Sequence, residues 1–204
     1  MIRRPPRSTQ GVSSAASDVY KRQGVFLEDQ KWPKRCGHMK GKDVITKEEY
    51  VEKLQSAIDA KSSKDFIIVA RTDARAIEGL DGAIERGNYY KKIGADVIFV
   101  EAPKSLEEMK KIGKSINAPL VANMIEGGAT PINSASKLHK MGYRIILYPL
   151  SILYANTFAT LKILHELKNK GTTMKLKNNL VRFDQFNDIV ELSKYSKLEK
   201  RYAK

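Results

Sequence analysis

The run EDQKWPKRCGH, Glu28 to His38, gathers the chain's most chemically loaded side chains around its single cysteine, Cys36. One cysteine forms neither an internal disulfide nor a thiolate-rich zinc site, so Cys36 is either buried filler or a reactive group. Lys34, Arg35 and His38 flank it. Positive neighbours stabilise a thiolate, and a sulfur that exchanges its proton under working conditions can act as both acid and base. Gly37 lets the backbone pass close to a ligand. On residue types alone the packing reading, with free cysteine as a small apolar side chain, carries comparable weight.

The elements that would position this loop are legible downstream of Gly24. Short apolar runs mark candidate strands at Val25–Glu28, Phe66–Arg71, Val97–Glu101, Leu120–Asn123 and Arg144–Tyr148. Between them lie amphipathic helical patterns at Lys47–Lys61, Asp81–Ile93, Leu106–Ile116 and Ser134–Lys140. Thr46 with Glu49, and Ser105 with Glu108, have capping-box spacing where two of those helices begin. Near-continuous apolar strands alternating with helices predict a parallel α/β sheet covered on both faces. Glu28, Arg71, Glu101 and Asn123 each end a different strand, and in a (β/α)8 barrel those ends converge on the face that carries active sites. Only five strands are counted where a closed barrel needs eight and about 250 residues. The fold expected is therefore a partial (β/α)8 TIM barrel comprising about the last five βα units. Beyond it, Leu153–Lys170 and Phe183–Tyr202 each predict a helix, the second with an apolar stripe suited to a partner subunit.

Composition bounds the remaining possibilities. The 204 residues are 42% hydrophobic and 29% charged, the profile of a soluble globular protein. No apolar run approaches the roughly 18 to 20 residues that span a bilayer, so a cytoplasmic protein is the expectation. The formal charge of +14 raises nucleic acid as a partner. However, Lys47, Lys53, Lys91, Lys92, Lys110 and Lys111 are spread over helical faces without the interleaved aromatics of a single-strand platform, so no nucleic-acid binding is expected. Residues 1–23, rich in Arg, Pro and Ser and without periodicity, are read as a disordered tail resembling translated sequencing adapter, outside the fold. A transit peptide is the competing reading, disfavoured by Pro5 and Pro6. The domain limits expected are 24–171 for the catalytic barrel and 172–204 for a C-terminal helix.

The run KRCGH after a strand and EDQ resembles the signature of the isocitrate lyase and phosphoenolpyruvate mutase superfamily, in particular its methylisocitrate and 2,3-dimethylmalate lyases. The resemblance continues in order through RTDA (Arg71 to Ala74), VEA (Val100 to Ala102), NMIEGGATP (Asn123 to Pro131) and YPLS (Tyr148 to Ser151). It implies Cys36 as the thiol that protonates the carbanion-like acid released on carbon–carbon cleavage. It also implies Glu28 as a water-linked ligand of Mg2+ (or Mn2+), and Arg71 as the partner of a substrate carboxylate with Glu101 and Asn123 beside it. Lys34, Arg35, Gly37 and His38 would belong to a mobile loop closing over a small carboxylic acid substrate. Gly127 and Gly128 match neither phosphate-binding fingerprint and read as a tight turn, and His139 and His165 lack metal-ligand spacing. Asp73 either caps its turn or touches the site. The family's chief metal-binding aspartates and carboxylate-binding loop belong to earlier strands that are absent here, so this 204-residue fragment is expected to be inactive and poorly soluble. The intact parent would be a homodimer or homotetramer. The alternatives are a carboxyphosphonoenolpyruvate phosphonomutase of the same superfamily, which shares KRCGH, and, from another class, a non-catalytic basic protein that binds anions or nucleic acid.

Overall fold

The structure, a computed structural model, describes residues 23–203. The tail expected over 1–23 therefore lies outside the described residues, Gln23 excepted. The carbonyl of Gln23 accepts the Ile67 amide at 2.9 Å. Five strands form: β1 (Gly24–Glu28), β2 (Ile67–Thr72), β3 (Val97–Val100), β4 (Leu120–Asn123) and β5 (Tyr143–Leu147). Each expected strand is present with its ends moved by one residue at most. Every position of β3 is buried, as are five of the six in β2, which is the signature of strands covered on both faces.

Helices follow the strands: α1 (Lys47–Asp59), α2 (Gly79–Ile93), α3 (Leu106–Ser115) and α4 (Ala135–Lys140). Thr46 and Ser105 cap α1 and α3, each hydroxyl accepting the amide three residues on, Glu49 and Glu108, at 3.1 Å. The reciprocal half of the capping box is replaced. Glu49 pairs with Lys53 at 3.0 Å, and Glu108 takes the Lys104 amide and the Arg75 guanidinium, each at 2.8 Å.

The strands are all parallel and lie in sequence order, β1-β2-β3-β4-β5. Tyr50 and Leu54 of α1, Ile84 and Tyr90 of α2, Met109 and Ile112 of α3 and Leu138 of α4 all join one core with Ile68, Ala70, Ile98, Val100, Leu120 and Ala122. The opposite face carries a smaller cluster of Val69, Val97, Phe99 and Val121, with Ile145 and Leu147 against it. A doubly wound sheet reverses its strand order and covers both faces with helices. Sequential order with these four helices on one face is the winding of a barrel, so the second cluster is the inner lining of a partial (β/α)8 barrel.

The chain divides into two compact units between Ser151 and Ile152. That boundary lies one helix earlier than the limit at residue 171 expected from sequence, and places nearly all of α5 (Ser151–Lys170) in the second unit. The helix expected over Phe183–Tyr202 is two, α6 (Phe183–Ile189) and α7 (Leu192–Tyr202). Glu191 separates them with φ of 53°. One left-handed residue redirects the axis, whereas the apolar stripe runs through the break and gives no sign of it. None of the described residues of α5, α6 or α7 is buried. Among the described residues no helix is long and apolar enough to cross a membrane.

Candidate active site

Side chains alternate across a strand, and that parity builds the site. Ile68 and Ala70 point to the helices, so Val69 and Arg71 point to the inner face; by the same count Glu28, Glu101 and Asn123 follow Phe26, Phe99 and Val121 inward. Arg71 stacks over Phe99, its guanidinium carbon 5.0 Å from the ring centre. Nε and Nη2 of Arg71 form a fork on Asp73, at 2.9 and 3.2 Å. The fork expected to meet a substrate carboxylate is thus directed at an internal one. Glu28 and Glu101 flank the same guanidinium at 3.5 and 3.7 Å. Asn123 Nδ2 donates to both oxygens of Glu101, at 3.2 and 3.4 Å, and its buried Oδ1 has no hydrogen-bond partner among the described residues.

Asp29, next to Glu28, has the opposite parity and supports the site from behind. Its carboxylate is fully buried and accepts the Asp73 amide at 2.9 Å, Tyr90 Oη at 3.0 Å and Arg86 Nη1 at 3.2 Å. Burial pushes this carboxyl above its ordinary value, against those hydrogen bonds and the Arg86 charge. Burial also raises Asp73, but the Arg71 fork, joined by Lys42, more than offsets it and leaves that carboxyl below its ordinary value.

The Cys36 loop is an excursion between β1 and α1, stapled at its base. Gln30 and Val44 form an antiparallel bridge, and the Lys31 and Ile45 amides donate to Asp43 O and Asp29 O at 2.9 Å each. Gln30 also clasps Arg35 in both directions, donating to its carbonyl at 2.8 Å and accepting its amide at 2.9 Å. Lys34 pairs with Glu28 at 2.9 Å. Gly37 is buried directly over the mouth: a Cβ there would stand 2.4 Å from Glu101 Cγ and 2.7 Å from Arg71 Nη2. His38 Nδ1 accepts the Ala129 amide at 2.9 Å, which puts the ring proton on Nε2, 3.1 Å from Glu101 Oε1 though poorly aligned for a hydrogen bond.

Cys36 itself is free and exposed, so the packing reading does not hold. The structure brings Glu28, Lys34, Gly37, His38, Arg71, Glu101 and Asn123 together. Arg35 stands apart, its guanidinium turned toward Gly41 on the loop's own side. The positive surroundings expected for the thiol are reduced, since Lys34 faces the Glu28 carboxylate and His38 Nδ1 serves as an acceptor. Sequence reading missed Asp29 and Lys42.

Among the described residues no three His, Cys, Asp or Glu side chains cluster to hold a metal ion. Glu28 offers one unbonded buried oxygen, Oε2, with its other oxygen on Lys34 and Arg71 close by. Magnesium demands near-octahedral oxygen ligation. One carboxylate oxygen between two cations does not fit it.

The family profile described as phosphoenolpyruvate phosphomutase matches residues 12–168. The chain belongs to the phosphoenolpyruvate mutase family. It is 48% identical over 183 residues to the chloroplastic carboxyvinyl-carboxyphosphonate phosphorylmutase of Arabidopsis thaliana, covering 88% of this chain and 54% of that protein. It is 44% identical over 187 residues to the 2,3-dimethylmalate lyase of Eubacterium barkeri, covering 90% and 65%. With a 2-methylisocitrate lyase of Aeropyrum pernix the identity is 39% over 173 residues, covering 85% and 56%. A crystal structure of 2,3-dimethylmalate lyase, a member of the phosphoenolpyruvate mutase/isocitrate lyase superfamily, superposes with a TM-score of 0.83 at 28% identity, covering 95% of this chain and 64% of that one. The chain therefore spans between half and two thirds of the length of these relatives.

Proposed function

We propose that the complete protein is a carbon–carbon lyase cleaving 2-methylisocitrate or 2,3-dimethylmalate to pyruvate and a second carboxylic acid, with Cys36 as its general acid and base. The bond between the hydroxyl-bearing carbon and its neighbour breaks, and the electron pair settles on the departing half as an aci-carboxylate. Cys36 delivers its sulfhydryl proton to that carbon. In condensation the thiolate takes the same proton back. The hydroxyl proton leaves to a base that this chain does not identify. Arg71, with Nε and Nη2 on Asp73, presents its remaining edge to a substrate carboxylate beside Glu101 and Asn123. Lys34, Gly37 and His38 close the pocket and exclude water from the carbanion. Mg2+ (or Mn2+) would need oxygen ligands beyond Glu28, and these steps rest on the chain's own residues.

The observation that carries this reading is Gly37, one residue from the thiol, seated on the Arg71–Glu101 pair. In the same proposal residues 24–171 are the catalytic barrel of a cytoplasmic homodimer or homotetramer, and the exposed Phe183, Phe186 and Ile189 lie at a subunit contact. The test joins this chain to the preceding segment of the Eubacterium barkeri 2,3-dimethylmalate lyase and assays both substrates. Cys36→Ser in that chimera is expected to cut turnover by roughly 10²–10⁴-fold, the usual worth of a positioned acid–base group. Wild-type turnover in Cys36→Ser would remove the mechanism.

The 48% identity to the Arabidopsis thaliana mutase favours a second reading, carboxyphosphonoenolpyruvate phosphonomutase chemistry on the same loop. Formation of a phosphorus–carbon bond, followed by phosphorus NMR with the chimera, separates the two.

A further inference from the structure

Of the lysines around the thiol loop, Lys31 and Lys34 have side chains more than half exposed, and Lys40 is also exposed. Lys42 is different. Its side chain is 3% exposed, and its ammonium donates to the carbonyl of Gly37 and stands 3.2 Å from Asp73 Oδ1, an atom of a fully buried carboxylate. A buried ammonium costs free energy unless it is paired and hydrogen-bonded. Here both compensations come from groups that matter to the site: the backbone beside Cys36 and the acid that holds the Arg71 fork.

We propose that Lys42 is a positioning residue for Cys36, tying the Gly37 carbonyl to Asp73 and so fixing the thiol loop over the Arg71–Glu101 pair. The assignment of a purpose to this tie rests on the reading of Cys36 as the acid–base group. The geometry explains why the task falls to a lysine. The base of the loop is already stapled by Gln30 and Val44, and Gln30 holds Arg35. Beyond Arg35, the backbone at Cys36 and Gly37 makes two hydrogen bonds, the Met39 amide on the Cys36 carbonyl at 2.9 Å and the Lys42 ammonium on the Gly37 carbonyl, while the next side chain, His38, accepts the Ala129 amide at 2.9 Å. The first lies within the loop and moves with it. The second also reaches Asp73, on the barrel, and is charge-assisted, the stronger class of hydrogen bond. Asp73 does not depend on it, since the Arg71 fork and the Asp73 amide on Asp29 remain if Lys42 is neutralised. Removing the charge should therefore loosen the loop while leaving the barrel intact.

Amide hydrogen exchange on the full chain tests this directly. Lys42→Met keeps the buried length and removes the charge, and is expected to speed exchange of the Met39 amide by roughly 10- to 100-fold, the worth of one hydrogen bond to a charged group. Tryptic cleavage after Arg35 should accelerate in step. The amides of Ile68 and Ala70 in β2 should keep wild-type protection. Lys42→Arg should recover most of the Met39 protection, and Lys42→Gln, which donates without a charge, should fall between. The same exposed-loop substitution at Lys40, Lys40→Met, should change none of these rates. Wild-type exchange at Met39 in Lys42→Met overturns the proposal. So does equal loss of protection in β2, which would make Lys42 a general support of the fold, and so does failure of Lys42→Arg to restore the loop. No turnover is measured, so these outcomes stand apart from the Cys36→Ser assay that tests the lyase reading.

Discussion

Gly37 is the residue on which the geometry of the thiol loop is most finely set. A methyl group there would stand 2.4 Å from both Cγ and Oε1 of Glu101, closer than carbon atoms approach without movement, so Gly37→Ala must lift the loop or push the pair apart. A displacement of about 1 Å at a reacting group costs up to about 10²-fold in rate. In the chimera, Gly37→Ala is accordingly expected to lower turnover by roughly that factor while Cys36 still reacts fully with a small alkylating agent, as mass spectrometry of the labelled protein will show. Asp73 yields a pH prediction of definite sign. Its folded carboxyl lies below the ordinary value of 3.8, so its stabilisation is present above that pH and is lost as the pH falls through the folded value. Asp29 is shifted the other way: its stabilisation is full below 3.8 and is lost as the pH rises through its own folded value. Asp73→Asn, which breaks a buried ion pair, should cost about 3 kcal/mol near neutrality, and the gap from wild type should narrow toward pH 3 in urea unfolding. At this scale the sequence is readable where a residue type has one use. The cysteine, the strand-end carboxylates and the asparagine declare themselves by position. Lys42 does not, because a lysine followed by an aspartate in a polar loop looks solvated until its side chain is seen buried, and Asp73 stays ambiguous in sequence because it lies one residue past the end of β2, where strand alternation no longer sets its direction.

A helix start is legible to the residue where a capping side chain marks it, as for α1 and α3, for a physical reason. An N-cap needs one short polar side chain with a free rotamer, and Thr46 and Ser105 announce themselves as such. Each replacement by Ala is expected to lower stability by about 1 kcal/mol in urea unfolding, with no change in the sheet. The glutamates three residues on have the spacing to complete the cap and instead serve Lys53 and Arg75, a choice made by tertiary partners that spacing cannot reveal. The division between α6 and α7 is invisible in sequence for a different cause. Glu191 adopts a left-handed conformation that favours glycine, so no composition cue marks the break. Glu191→Gly removes the Cβ penalty at that position and is expected to be neutral or to stabilise by up to about 1 kcal/mol, whereas in a continuous helix the same change would cost about that much. Circular dichroism melting of the two proteins distinguishes the cases. The strands fall within a residue of their expected limits because two-sided burial leaves an unbroken apolar run, and the choice of barrel over open sheet becomes firm only with all four helices on one face.

Across the whole molecule, the balance of charge at the barrel mouth bears on what the chain can hold. Glu28, Asp73 and Glu101 supply three carboxylates, and Arg71, Lys34 and Lys42 answer them with three cations at 2.9–3.7 Å. Such a mouth is nearly self-neutralised. It has no surplus of negative oxygen for a hard divalent cation, which keeps several of its own waters and binds through carboxylates left free to face it. The family match and the shared fold cover only 54 to 65% of the length of the compared relatives. A divalent site at this mouth would therefore draw most of its ligands from the part of those proteins that this chain does not span. Isothermal titration of the chain with Mg2+ is expected to show no saturable binding below millimolar concentration. The chimera carrying the preceding segment of the Eubacterium barkeri protein should bind one Mg2+ per chain, and Glu28→Gln in that chimera should weaken binding by roughly 10- to 100-fold if Glu28 acts through the water shell of the ion. Micromolar binding to the chain alone would mean that the ion pairs at the mouth open to admit a metal, with Glu28 released from Lys34 and Arg71 to face it, and the mouth would then not be neutralised from within.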